Sequence, residues 1–278
     1  MTDDLAGHVA GRDAWARSAR GPLALVTSQV VDRPQPVWPV AGQWAPAVGG
    51  LTVTAAAADG VVVDGAPVDG TVLVAGDTAV VPSTVAFADG FAGTVHGATL
   101  RVWDPASDAV ARFARIDRFA SRPGGWVTAG RYEPWSGQEA PGHLTDAAGD
   151  PLPIAGTIET TVDGATVRMT AVRSAPFHGR RRLQLIVQDT TSALPEDDPG
   201  SSYSMGRFLY LDEPDGADGS GDPRDASDVT LDWERLVLPP CAFSYQYACP
   251  VPPAENRLPV ALAAGERHPV DASGAVLH

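Results

Sequence analysis

After residue 50 the chain reads as short β-branched runs punctuated by Asp-Gly pairs. The runs cover 51–54, 61–63, 71–74 and 78–81, separated by Asp59-Gly60, Asp64-Gly65 and Asp69-Gly70. Asp-Gly accepts the positive φ of tight hairpin turns, so this stretch predicts a meander of short strands, a small β-sandwich or partial barrel. Ahead of it, Leu5, Val9, Ala10, Ala14 and Trp15 recur at helical spacing among Asp and Arg until Gly21-Pro22 breaks the pattern. One N-terminal helix is expected there. A further strand is predicted over 98–103, and a short helix or irregular connection over 107–119.

The alternating pattern resumes after Ser121-Arg-Pro-Gly-Gly125, where clustered Pro and Gly mark a linker. Runs at 126–132, 154–162, 165–172 and 183–189 predict strands, with Asp163-Gly164 and His178-Gly179 at the turns. Residues 208–211 and 229–233 are expected to form a strand pair, joined by an Asp-, Gly- and Ser-rich connection over 212–228 that predicts an exposed insertion. Its Asp215, Asp218 and Asp222 lack the alternate spacing of a calcium loop. The expected fold class is mostly β: an N-terminal helix over 1–21, a small β-sandwich-like unit over 22–120, and a larger antiparallel β-barrel or sandwich unit over 126–278.

Composition narrows the chemistry. The chain has 278 residues and a formal net charge of −14, with no general positive field to attract a phosphate backbone, so no nucleic-acid partner is expected. No apolar stretch approaches the roughly 20 residues of a membrane helix, and no membrane association is expected. The acidic start Met1-Thr2-Asp3-Asp4 lacks the order of a secretory signal, which predicts a cytoplasmic protein. All twenty basic residues are Arg, as a GC-rich genome favours, and without lysine a Schiff base or covalently held pyridoxal phosphate has no amine to use. A P-loop, a Gly-x-Ser-x-Gly elbow, a strand-placed Gly-x-Gly-x-x-Gly and His-Glu-x-x-His are all missing. No cofactor is expected, although a flavin site needs no short signature. The six histidines are scattered without metal-ligand spacing, so no metal is expected. The pattern bears no mark of a particular oligomer.

Candidate chemistry gathers in the C-terminal half, in Tyr203-Ser-Met-Gly-Arg-Phe-Leu-Tyr210 and in the proline-framed segment 239–259. Arg207 and Arg257 have the fork geometry to clamp a carboxylate or phosphate; the alternative is a structural ion pair with a residue such as Glu255. Glu255, Asp189 and Tyr203 are the candidate acid–base groups. Each has a plainer role as well: a fastened turn for Glu255, a capping carboxylate for Asp189, a core phenol for Tyr203. Trp233, Leu236, Leu238 and Tyr245 are candidates to line an apolar pocket. Cys241 and Cys249, in an expected reducing compartment and away from an obvious electropositive site, are expected to be reduced and mainly structural.

The segments Gly206-Arg-Phe-Leu-Tyr210, Pro239-Pro-Cys-Ala242, Cys249-Pro250, Pro252-Pro253, Glu255-Asn-Arg-Leu-Pro259 and Ala264-Gly-Glu266 resemble the bacterial and archaeal family known as domain of unknown function 1684. The resemblance implies a shared fold and little about activity. Where relatives tend to carry a polar, aromatic Asn-Arg-Ala-Tyr-Asn-like stretch, this chain has Glu234-Arg-Leu-Val-Leu238, which would make a pocket wall there more apolar. Two functional expectations follow. The leading one is a cofactor-independent cyclase, lyase or isomerase of small-molecule metabolism, acting on a largely apolar substrate with a carbonyl or acidic group. The other is a noncatalytic ligand-binding or protein-interaction module whose C-terminal motif is a structural lock.

Overall fold

The computed structural model describes residues 5–135, 143–214 and 226–277. It is mostly β, with 46 % of residues in strands and 14 % in helices, and one of its sheets curls as a half-barrel. The central part of the insertion predicted over 212–228 lies outside the described residues. The chain divides into two compact units, one built mainly from 11–113 and the other mainly from 114–242 and 248–277.

Helix α1 (Leu5–Ala16) opens the chain. The N-terminal unit then runs through β1 (Leu25–Val30), β2 (Gln35–Val37), β3 (Val40–Ala47), β4 (Gly50–Ala55), β5 (Val62–Val63), β6 (Ala66–Pro67), β7 (Gly70–Ala75), β8 (Val85–Ala86), β9 (Ala92–His96) and β10 (Thr99–Trp103). These form two antiparallel sheets, ordered β2-β3-β4-β7 and β1-β10-β9-β8-β5-β6. Alternate residues of the strands point inward, so Trp44, Leu51, Val53, Val74, Leu100 and Val102 make a dry core. Asp64-Gly65 forms the expected hairpin turn, with φ of 52° and 81°. Asp59-Gly60 does not: Gly60 instead ends a 3-10 turn over Ala57–Asp59. The strand expected over 78–81 is a loop, with Val80 and Val81 exposed and no strand partner among the described residues.

A short helix α2 (Asp108–Arg112), capped by the Ser107 hydroxyl on the Val110 amide at 3.3 Å, leads out of this unit. Residues 113–118, expected as part of a short helix or irregular connection within the N-terminal unit, form strand β11 (Phe113–Arg118), which pairs with β19 (Glu266–Asp271), the last strand of the C-terminal one. Between them lie β12 (Val127–Pro134), β13 (His143–Thr145), β14 (Pro151–Val162), β15 (Ala165–Phe177), β16 (Arg180–Val187), β17 (Arg207–Asp212) and β18 (Ser227–Asp232). Their sheet is ordered β17-β16-β15-β14-β12-β18, with β13 added on β14. Asp163-Gly164 and His178-Gly179 supply the predicted left-handed turns. The expected pairing of β17 with β18 does not form. The two strands occupy opposite ends of the order, β17 on β16 and β18 on β12.

Inward residues of this sheet, among them Ile158, Met169, Leu185 and Leu231, pack with Trp233, Leu236, Leu258 and Leu262 from the chain that follows. Tyr132 lies in the same core and donates to the Ala155 carbonyl at 3.1 Å. Burial pushes its phenol up to about 12, Glu213 adds to the shift, and Arg173 and Arg181 oppose it. A proton held more tightly in the folded state makes the fold lose stability as pH climbs from the ordinary tyrosine value near 10 towards 12. Chemical unfolding in that window should show a decline in wild type that is shallower in Tyr132→Phe.

Candidate functional site

The motif residues of the C-terminal unit meet around the end of β16. Gly206 turns the chain into β17 with φ of +89°, and a Cβ there would lie 2.3 Å from the Val187 carbonyl oxygen. Only glycine allows that approach. Its neighbour Arg207 is thereby set opposite Val187 and points into the interior, where it has no solvent exposure. The guanidinium is enclosed by acceptors. Nη2 donates to Asp189 Oδ2 at 2.7 Å and to the Leu262 carbonyl at 2.8 Å. Nη1 donates to the Glu266 carbonyl at 3.1 Å and to the Ala264 carbonyl. The Phe119 ring centroid lies 5.5 Å from the guanidinium carbon, and Nε has no partner.

Asp189 is equally occupied. Oδ1 accepts from the Thr191 amide at 3.0 Å, the Thr191 hydroxyl at 2.7 Å and the Leu262 amide at 3.1 Å. An ionised carboxylate is an acceptor only, and here both oxygens are met by donors. Together, Arg207 and Asp189 fasten the irregular chain 262–265 and the start of β19 to the sheet.

A second fastening lies on the other side of β16. Asn256, fully buried, inserts its amide between β15 and β16: Oδ1 accepts from the Thr170 amide at 2.7 Å, and Nδ2 donates to the Thr170 and Ile186 carbonyls, each at 2.9 Å. Gln188 then donates its amide to the Asn256 carbonyl at 3.1 Å and accepts from the Leu258 amide at 2.7 Å, a short parallel pairing. Asn256 closes a 3-10 turn over Ala254–Asn256, which turns its side chain inward and its charged neighbours outward. Glu255 is exposed and accepts from the Thr170 hydroxyl; Arg257 is exposed.

Glu266 is a third buried anchor. Its Oε2 accepts from the Leu238 amide at 2.6 Å, and Oε1 lies 3.6 Å from Arg118 Nη1. Neither Asn256 nor Glu266 was among the expected site residues. Both are polar residues among charged neighbours, Asn256 between Glu255 and Arg257 and Glu266 before Arg267-His268, so neither stood out by spacing.

The expected site residues thus separate. Trp233, Leu236 and Leu238 are buried in the core, with Trp233 Nε1 donating to the Thr128 hydroxyl at 3.1 Å. Tyr203 is buried and its hydroxyl bonds the Cys241 thiol. Tyr245 is 78 % exposed and belongs to the N-terminal unit. Two hollows stand out elsewhere. One, of about 500 Å³, is an open trough on β12, β14 and β18 lined by Arg131, Glu159, Thr161, Thr166, Asp228 and Thr230. The other, of about 220 Å³, lies among the turns of the N-terminal unit at Ala47, Gly49, Gly50, Gly76 and Gly97. None of the expected site residues lines either. Among the described residues, no three His, Cys, Asp or Glu side chains are grouped to hold a metal ion, and no helix is long and apolar enough to cross a membrane.

A mostly antiparallel β fold with a buried Arg–Asp anchor is the class these features define. Residues 111–267, more than half of the chain, match the family described as protein of unknown function DUF1684, and the chain belongs to that family. It is similar to an uncharacterised protein of Haloarcula marismortui, solved in solution by NMR, with 26 % identity and a TM-score of 0.42 over 56 % of this chain and 77 % of that one. No curated protein matches the sequence.

Proposed function

We propose that the chain is a noncatalytic protein-interaction module, in which the N-terminal unit presents the partner surface and the C-terminal motif is a structural lock. The enclosure of Arg207 carries this reading. A guanidinium with no solvent exposure, spent on one carboxylate and three carbonyls, has no face left for a ligand. The partner surface is assigned to one end of the N-terminal unit. There the Gly76 amide donates to the Gly49 carbonyl at 2.8 Å, the Asp77 amide to the Val95 carbonyl at 3.0 Å, and the Gly97 amide to Asp77 Oδ1 at 3.2 Å, tying three turns together. The same loops hold out Val48, Val80 and Val81, which are 98 %, 102 % and 79 % exposed. Apolar tips on loops braced by a rigid scaffold suit an apolar patch on another protein.

A photo-crosslinking residue at position 81, introduced in the cells that make the protein, should capture one protein partner, and Val48→Asp with Val80→Asp should abolish capture while the fold persists. The same residue at exposed Val127 should capture nothing specific. The reading fails if the purified chain turns over a metabolite and Glu255→Gln stops that turnover without unfolding it.

A further inference from the structure

We infer that Cys241 and Cys249 form a thiol–disulfide exchange site that reacts with low-molecular-weight disulfides, Cys241 as the attacking sulfur and Cys249 as the resolving one. This goes beyond the interaction reading and does not depend on it. The two residues are eight apart, both are free thiols of intermediate burial, and the chain between them folds back so that the Cys241 amide donates to Cys249 Sγ at 3.3 Å. The two thiols also bond each other, and the Tyr203 hydroxyl reaches the Cys241 sulfur from a different segment. No cation is needed for this arrangement. The Cys249 thiol, then Tyr203, then the amides of Cys241 and Ala242 bond the Cys241 sulfur and hold its thiol below the ordinary value against the opposing effect of burial. Cys249, which supplies the bond, is pushed up by that same contact and by burial, and remains the protonated partner. The sequence expectation of an unactivated pair looked for nearby positive charge; the activating groups are neutral donors.

The asymmetry assigns the roles. The thiolate is the nucleophile in exchange, so Cys241 attacks one sulfur of an external disulfide RSSR, forming Cys241–S–SR and expelling RS⁻, which takes up the proton Cys241 had released. Cys249 then gives up its proton and attacks the Cys241 sulfur. The bond to SR breaks, the second RS⁻ leaves and takes up that proton, and an intramolecular disulfide remains. The protein dithiol is oxidised by two electrons and RSSR is reduced to two RSH. The linked residues stand at the two ends of an excursion: the chain leaves the C-terminal unit after Ala242 and rejoins it at Ala248, and Phe243–Tyr247 belong to the N-terminal unit. Within that unit the Ser244 hydroxyl donates to the Leu25 carbonyl at 2.8 Å, and Gln246 Oε1 accepts from the Ser28 amide at 3.0 Å. The disulfide would close the loop that carries these contacts.

The test uses the reduced full chain, oxidised glutathione near neutral pH, acid quenching and intact mass. Wild type should end as the intramolecular disulfide without a lasting adduct. Cys249→Ser should accumulate one glutathione adduct on Cys241, and rapid quenching of wild type should trap a transient adduct on Cys241 before the intramolecular disulfide forms. Tyr203→Phe should move the pH profile of adduct formation in Cys249→Ser to higher pH, which a purely packing role would not do. The inference is overturned if folded wild type stays reduced while urea-unfolded chain reacts. It is also overturned if the transient adduct of wild type maps to Cys249.

Discussion

Arg207→Met should lower the stability of the C-terminal unit by about 3–5 kcal/mol, because it removes the cation and leaves Asp189 charged in a site its side chain meets with 1 % exposure. The loss extends beyond the ion pair. The carbonyls of Leu262, Ala264 and Glu266 lose their donor together, and the first two belong to irregular chain with no strand to replace it. For a chain of this size the midpoint of thermal unfolding should fall by roughly 10 °C. Arg207→Met with Asp189→Leu should recover only part of that, since an apolar pair removes the stranded charge and still leaves three carbonyls and the Thr191 and Leu262 amides unmet. Calorimetry of the two variants separates the lock from a catalytic role. A ligand-binding arginine would leave the unfolding midpoint near that of wild type.

The parts of this fold that were legible in the sequence are those set by neighbouring residues. Asp64-Gly65, Asp163-Gly164 and His178-Gly179 each adopt the positive φ their types favour, so the hairpins they close fall where expected. Pairing between distant segments leaves no such local mark. The runs forming β17 and β18 were read correctly as strands, yet their partners are β16 and β12, and the choice depends on which sheet edges the rest of the chain leaves open. The same holds for β11, which looks like the tail of the first unit until its partner β19, about 150 residues on, is in place.

The candidate site shows this dependence more sharply. Arg207 was visible as an unusual residue beside an aromatic strand, and the choice between clamp and lock lay in what surrounds it. The four acceptors that surround its guanidinium come from Asp189, Leu262, Ala264 and Glu266, 18 to 59 residues away; no spacing rule links these positions. Glu255 and Arg257 attracted attention as charged residues, while the residue between them does the structural work. The 3-10 turn over Ala254–Asn256, entered from Pro253, turns the two charges to solvent and the amide inward.

Asn256→Leu should therefore be at least as damaging as the loss of Arg207, although it leaves every charge in place. The Asn amide satisfies the Thr170 amide, the Thr170 carbonyl and the Ile186 carbonyl where β15 and β16 stop pairing; the ladder resumes at Ala171 and Leu185. Three buried backbone groups left without partners, at about 1–3 kcal/mol each, sum to a loss on the order of 3–6 kcal/mol after partial relaxation. Leucine keeps the branched shape and opens no cavity, so the loss reports on the missing hydrogen bonds together with the crowding of its bulkier methyls. Asn256→Asp is the sharper probe. Its carboxylate can still accept from the Thr170 amide, but it sets a charge against the two carbonyls that Nδ2 now serves. Denaturant unfolding should rank wild type above Asn256→Leu, with Asn256→Asp least stable near neutral pH and regaining stability as acid protonates the new carboxyl. Hydrogen exchange should show the Thr170 amide losing protection first in Asn256→Leu, because its bond to Asn256 Oδ1 is the one removed. If Asn256→Leu unfolds with wild-type midpoint, the wedge between β15 and β16 contributes no stability and the lock reduces to Arg207 and Asp189.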